Sequence, residues 1–184
     1  RLCRDWSSDV CSSDLIQSQP SGGFATLVSE ADNDQIALSY LDERVLVLDP
    51  GFFSFDWALF HKGALVPDAS NNSQRAVSAI CDDISKYIRQ TLDGGSFSRE
   101  RLEEALRNGD ETILIGGEQY RLDEILKEVS SELATHAMQE VSNALRLQVD
   151  GINYLYLVGG GAPYFAEAAR KAFPRCKVIE ARDP

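Results

Sequence analysis

The segment Arg44-Val-Leu-Val-Leu-Asp-Pro-Gly-Phe-Phe-Ser-Phe-Asp-Trp57 limits the fold more than any other part of the chain. Its apolar run, Val45 to Leu48, is short and sharply bounded, by Arg44 before it and by Asp49-Pro50-Gly51 after it, and reads as a strand. Unbroken rather than alternating apolar character predicts burial on both faces of a sheet. Pro50-Gly51 then turns the chain, and Ser54 to Phe60 returns as a second strand in which Phe55, Trp57 and Leu59 alternate with Ser54, Asp56 and Ala58, so that its two faces differ. A carboxylate is thereby delivered by a buried strand into a glycine turn. A second strand-then-glycine segment, Tyr154-Leu-Tyr-Leu-Val-Gly-Gly-Gly-Ala162, opens a helix about a hundred residues later.

Between these segments the periodicity is mostly helical. A short helix is expected over Thr26 to Glu30 with Pro20 near its start, then a polar break at Ala31-Asp-Asn-Asp-Gln35. Ile36 to Leu41 fits a strand or a helix. His61-Lys-Gly63 turns the chain into a third short strand, Ala64 to Val66, making an antiparallel meander, and Asp68 to Gln74 supplies several N-cap candidates. Val77, Ile80, Ile84, Ile88 and Leu92, spaced at three or four, form the buried stripe of a helix that Asp93-Gly-Gly95 ends. Arg99 to Arg107 reads as a second helix stopped at Asn108-Gly109. Glu111 to Leu122 reads as a hairpin around Gly116-Gly117, and Asp123 to Leu147 as a long amphipathic helix. A strand at Tyr154 to Val158, a helix from Pro163 to Phe173 and a strand at Lys177 to Ile179 complete an α/β order that predicts a mixed sheet with helices packed on it.

The first fifteen residues stand apart. Asp5-Trp-Ser-Ser-Asp-Val-Cys-Ser-Ser-Asp-Leu15 resembles the in-frame translation of a sequencing adapter, and residues 1–15 are read as an artefactual or disordered segment. That stretch also lacks the apolar core of a signal peptide. Without it the net charge moves only from −11 to about −10. So acidic a balance disfavours direct contact with nucleic-acid phosphates. Cys81 and Cys176, the cysteines outside that segment, are far apart with no CxxC spacing, which supports neither a zinc site nor a disulfide framework and fits a reducing cytoplasm. No run approaches the roughly twenty apolar residues that cross a bilayer, so no membrane partner is expected.

The chemistry is expected at the two glycine segments. Asp49 to Asp56 has the spacing DxGxxSxD. A carboxylate at a strand end suits a hydrated magnesium ion, which prefers hard oxygen ligands. Gly51 lets successive backbone N–H groups face phosphate oxygens as an anion-binding nest, and Ser54 adds a hydroxyl. An ordinary hairpin with Pro-Gly at its turn accounts for the same residues. Gly159-Gly160-Gly161-Ala162 likewise fits either close approach of a planar base or phosphate at a helix N-terminus, or a tight structural turn. A dinucleotide fingerprint would need a small residue where Tyr164 stands. His61 and His136 lack paired ligand spacing and read as surface or packing residues. Glu128, Glu132 and Glu140 read as a solvated acidic face.

Taken together, DxGxxSxD in a hairpin, a helical insertion (roughly residues 69–121), and an apolar strand ending in Gly-Gly-Gly-Ala resemble the second half of the actin-like ATPase fold, a ribonuclease H-like lobe shared by actin, MreB, FtsA and DnaK-type chaperones. Val-Leu-Asp-Pro-Gly-Phe-Phe-Ser-Phe-Asp-Trp and Leu-Val-Gly-Gly-Gly-Ala are most similar to strings of the ParM or StbA-like plasmid-segregation branch. The likeness runs from about Gln17 to Pro184. It implies that Asp49 positions Mg2+ through water, that Gly51, Phe52, Phe53 and Ser54 form the second phosphate loop, and that Gly159, Gly160, Gly161 and Ala162 form the adenosine loop. Gln19 in Gln19-Pro-Ser-Gly-Gly23 matches the glutamine or glutamate that orients the attacking water, with Gln17 second. Phe52 and Phe53 are bulkier than is usual after the loop glycine, so only their backbone is expected to take part.

The same resemblance implies ATP or GTP with Mg2+ as cofactors, self-association into filaments, a plasmid adaptor as partner, and a bacterial cytoplasmic setting. The family's first phosphate loop has no counterpart upstream of Gln17, and the string expected after the last strand is missing. The chain is therefore expected to be one lobe, truncated at both ends and nearly inactive alone. Two other readings remain: a sugar or acetate kinase-like phosphotransferase with Asp56 or a residue of the missing lobe as base, and a non-catalytic interaction domain.

Overall fold

A computed structural model of the chain describes residues 19–51, 54–73, 77–91, 98–146 and 151–181. The adapter-like segment, Gln17, Phe52, Phe53, Leu92, the helix stop at Asp93-Gly-Gly95 and Leu147 lie outside those residues. Two helices come first, α1 (Gln19–Ser29) and α2 (Asp34–Asp42). Three strands follow, β1 (Arg44–Pro50), β2 (Phe55–His61) and β3 (Ala64–Ser73). The middle of the chain carries α3 (Val77–Thr91), α4 (Arg99–Asn108), a hairpin of β4 (Thr112–Ile115) and β5 (Glu118–Arg121), and the long α5 (Leu122–Ala144). A strand-helix-strand unit closes it: β6 (Tyr154–Leu157), α6 (Ala162–Ala172) and β7 (Lys177–Glu180).

The main sheet is mixed, with the order β3-β2-β1-β6-β7. β1, β2 and β3 form the expected antiparallel meander, whereas β1, β6 and β7 run parallel. β1 is buried on both faces, as its unbroken apolar run predicts, and its residues alternate between two cores. Val45 and Val47 pack with Phe24 and Leu27 of α1 and Tyr40 of α2. Leu46 and Leu48 join the larger core, which includes Ile80, Ile84 and Ile88 of α3, Leu133 and Ala137 of α5, and Phe165 and Ala169 of α6. The faces of β2 differ in what covers them rather than in polarity: Phe55, Trp57 and Leu59 enter the larger core, while Ala58 and Phe60 lie under α1, where Phe60 stacks on Phe24 at 4.2 Å between ring centroids.

Three expectations change. The stretch that fits strand or helix, Ile36 to Leu41, is helical, because the Asn33 side chain accepts the Ile36 N–H at 3.0 Å and caps α2. α1 begins at Gln19 rather than near Thr26, and Pro20 sits in its first turn, where a missing N–H costs nothing. The N-cap candidates Asp68, Ser70, Asn71, Asn72 and Ser73 belong to β3 instead. The free edge of β2 takes Asn71, Asn72 and Ser73 into its ladder opposite Trp57, Asp56 and Phe55, beyond a register shift that absorbs Pro67. Satisfying those backbone groups outweighs local turn chemistry. α4 ends as expected, with Gly109 in the left-handed region at φ +70°. No helix among the described residues is long and apolar enough to cross a membrane.

Candidate functional site

The C-terminal ends of β1 and β6 lie side by side, and both glycine segments leave the sheet there. Asp49 and Pro50 end β1 opposite Asp56 and Phe55 of β2. The Gly51 N–H closes the hairpin by donating to the carbonyls of Ser54 at 2.9 Å and Asp49 at 3.0 Å. The Ser54 hydroxyl donates to Asp56 Oδ2 at 2.5 Å. Asp49 is half-buried, and its carboxyl is held above its ordinary value, first by burial and then by the facing carboxylate of Asp56.

β6 meets this hairpin along its parallel edge. The Val158 N–H donates to the Leu48 carbonyl at 2.9 Å, one step past the last strand pair, and the Gly161 N–H donates to the Pro50 carbonyl at 3.1 Å. The two loops are thus joined by backbone directly. Beneath them Phe55, which leaves the hairpin, stacks on Phe165 of α6 at 5.2 Å and 10°. Gly159 adopts φ +81°, and the space where a Cβ of Gly160 would stand is open. Ala162 starts α6, whose N-terminus points at this end of the sheet and favours negative charge.

A cavity of about 400 Å³ opens beside the first turn of α6. Pro163 and Tyr164 line it with Leu106 and Gly109 at the end of α4 and Ser130 and Thr135 of α5. Burial, then the Cys81 thiol, raises the Tyr164 phenol. A wider depression of about 910 Å³ lies at the opposite end of β6, among Ile152, Asn153, Phe173 and Cys176, and none of the candidate residues borders it.

Asp49, Gly51, Ser54, Gly159, Gly160, Gly161 and Ala162 therefore share one end of the sheet. Phe52 and Phe53 lie outside the described residues. Gln19 is exposed at the start of α1, under the other face of the sheet. One turn on, Gly23 packs so closely that a Cβ would fall 3.2 Å from both Val47 and Val158, which sets the start of α1 near the same end. The acidic face of α5 is partly engaged: Glu140 accepts from the Ser73 hydroxyl at 2.7 Å and Glu128 from the Tyr87 phenol at 3.1 Å. His136 has Glu132 3.9 Å away on the same exposed helix face.

Sequence reasoning missed two features. Asp56 faces Asp49, a pairing set by the strand register, which a turn read at Pro50-Gly51 does not fix. The cavity against Tyr164 had no local signal, because α4, α5 and α6 meet there from distant parts of the chain.

The oxygens of Asp49, Asp56 and Ser54 are hard donors, matched to Mg2+ rather than to a soft metal. Among the described residues no three His, Cys, Asp or Glu side chains gather to hold a metal unaided. A cation that keeps several waters and shares phosphate oxygens fits such a sparse donor set.

Residues 47–171 match the family described as "Archaeal actin homologue MreB-like, C-terminal". No curated protein matches by sequence. Among solved structures, the fold resembles that of Ta0583, an archaeal actin homologue, with TM-score 0.72 and 20% identity over 89% of this chain and 48% of that one. The same protein in complex with ADP gives 0.70 and 21%, over 89% of this chain and 51% of that one. A 15-stranded ParM filament from Clostridium botulinum gives 0.65 and 19%, over 90% and 48% respectively. The chain thus spans about half the length of the structures it matches. With the family match covering most of its length, the chain belongs to the actin-like family of archaeal MreB-like homologues and corresponds to their C-terminal part.

Proposed function

We propose that the chain is the nucleotide-binding second lobe of a two-lobed, filament-forming ATPase of the plasmid-segregation type, working with ATP or GTP and Mg2+. The observation that carries this reading is the hydrogen bond from Gly161 N–H to the Pro50 carbonyl, which joins both glycine loops beside the Asp49 carboxylate. In this reading the Gly51 to Ser54 turn, Phe52 and Phe53 included, forms the second phosphate loop, its N–H donors coming after Gly51, whose own N–H closes the hairpin. Gly159 to Ala162 lies against ribose and base, and the open space at Gly160 suits a flat group. The cavity walled by Tyr164 begins at Pro163, the next residue along the chain. Asp49 holds Mg2+ through water, and bound Mg2+ supplies neutralisation of phosphate charge. Gln19, near the same end, orients the attacking water. The resemblance to a ParM filament supports self-association, with DNA reached through an adaptor rather than by this acidic chain.

The test uses the two-lobed protein. ADP with Mg2+ at about a hundred times Kd should stabilise it by about 2.7 kcal/mol, because a ligand that binds only the folded state must do so. Asp49→Ala should remove the magnesium-dependent part of that shift, and ATP should drive the protein into a pelletable form. No response to any nucleotide would refute the reading in favour of an interaction domain. Phosphate transfer to a small hydroxylated compound, without pelleting, would favour the kinase.

A further inference from the structure

Of Gly51, Gly159 and Gly160, Gly159 is the one where an added Cβ would fall closer than 3.0 Å to another atom; at Gly51 the Ser54 carbonyl oxygen would stand 3.1 Å away. A Cβ built there would fall 2.5 Å from Asp49 Oδ1, 3.6 Å from Asp49 Cγ and 3.7 Å from the Pro50 carbonyl oxygen. Carbon and oxygen do not approach to 2.5 Å without displacement, so Asp49 and a side chain at position 159 compete for one volume. Asp49 can yield only by turning its side chain away. Its side chain is short, and its backbone is held on one side by the β2 ladder. On the other side Val158 N–H donates to Leu48 and Gly161 N–H to Pro50, clamping the residues before and after it. Gly160, the next residue, shows the contrast: nothing lies within 4 Å of where its Cβ would stand.

We propose that Gly159 is a positioning residue: by carrying no side chain it reserves the place of the Asp49 carboxylate and makes the two loops one steric unit. That carboxylate can keep its place beside Gly159 only while position 159 carries no side chain. The converse holds as well. A group that presses the Gly159 loop toward β1 moves Asp49, so contacts at the glycine loop and placement of a cation at Asp49 are linked through van der Waals exclusion. This linkage deepens the nucleotide reading, on which the role given to the carboxylate rests. The steric relation itself involves only residues of this chain.

Gly159 also has φ +81°, a backbone state that side chains disfavour whatever surrounds them. The experiment must separate that strain from the collision. Thermal melting of this chain is measured for Gly159→Ala in three backgrounds: the native chain, Asp49→Asn and Asp49→Ala. Backbone strain is common to all three. Asn keeps the shape of Asp without its charge, and Ala removes the colliding atoms. The expected result is a loss in Tm on Gly159→Ala that is at least about 3 °C larger with Asp or Asn at position 49 than with Ala. Gly160→Ala should show no such dependence on position 49. A spectroscopic readout accompanies it: the carboxyl carbon resonance of Asp49, assigned by NMR, should move on Gly159→Ala and hold still on Gly160→Ala.

Equal losses in all three backgrounds, or an Asp49 resonance indifferent to Gly159→Ala, would overturn the proposal and leave backbone strain as the reason for glycine. Should Gly159→Ala fail to fold, recovery of folding by adding Asp49→Ala but not by adding Asp49→Asn reads the same coupling. Failure of both to recover it would count against the proposal. No variant is scored with nucleotide, so loss of the steric coupling and failure of the nucleotide reading are separate results.

Discussion

An ionised Asp49 is a cost to this fold. Burial is the larger cause and the Asp56 carboxylate across the ladder the smaller, and both favour the protonated form. With its folded-state pKa above the ordinary 3.8, the stability Asp49 contributes is fully present below that value and is lost as pH rises through the raised one. The loss is complete once the pH stands well above that raised value. Asp49→Asn is therefore expected to raise Tm at neutral pH by about 1–4 °C, with the gain fading as the solution is acidified below the ordinary carboxylate range. Scanning calorimetry of both chains across that range checks it, and a gain that grows on acidification would contradict it. A residue retained at the expense of stability is what a cation site requires, since a bound cation inverts the sign of the local electrostatics. Asp49 was legible in the sequence because a strand end followed by Pro-Gly leaves a carboxylate few other places to go. Its pairing with Asp56 was not. Strand register depends on which carbonyl the Gly51 N–H selects, and composition does not disclose that choice.

Among elements, α6 is the one that pins the glycine loop. Phe165 is fully buried one turn into it and stacks on Phe55, the residue with which β2 leaves the Asp49 hairpin. The pair is a fixed base under both loops. Phe165→Ala should cost about 3–5 kcal/mol, the range for emptying an aromatic site in a packed core, and Phe165→Leu distinctly less. Denaturant unfolding measures both losses. If Phe165→Ala cost under about 1 kcal/mol, the surface range, the stack would not be what holds the loop. α6 and β1 were legible because each has a short-range pattern, a stripe or an unbroken run. β3 was misread beyond Val66, since Asp, Ser and Asn there carry turn chemistry and only the free edge of β2 draws them into a ladder. α2 turned on a single cap, Asn33, in a segment whose apolar spacing fits two periods.

Across the whole molecule the candidate residues gather at one end of the sheet. Strands in the order β3-β2-β1-β6-β7, with α1 and α2 on one face and α3, α5 and α6 on the other, bring Asp49 and Gly159 together from opposite ends of the sequence. The mixed sheet was legible from the order of elements, whereas the meeting of the loops rests on β1 and β6 being parallel neighbours, a long-range pairing with no local signature. Loops at such an end leave one side of a ligand in water. Phosphoryl transfer depends on fixing nucleotide, cation and nucleophile together in a site that excludes water, and a surface covering one side of the phosphates fixes few of them. In the two-lobed reading the other lobe closes that side. This chain alone, with ATP and Mg2+, is expected to release phosphate at least about a hundredfold more slowly than a two-lobed relative, the scale on which losing a single positioned donor already acts. A phosphate-release assay on both proteins at equal concentration decides the matter. Comparable turnover would mean that every group the reaction needs lies on this one lobe, and the search for the nucleophile's partner would then return to Asp56 and Gln19.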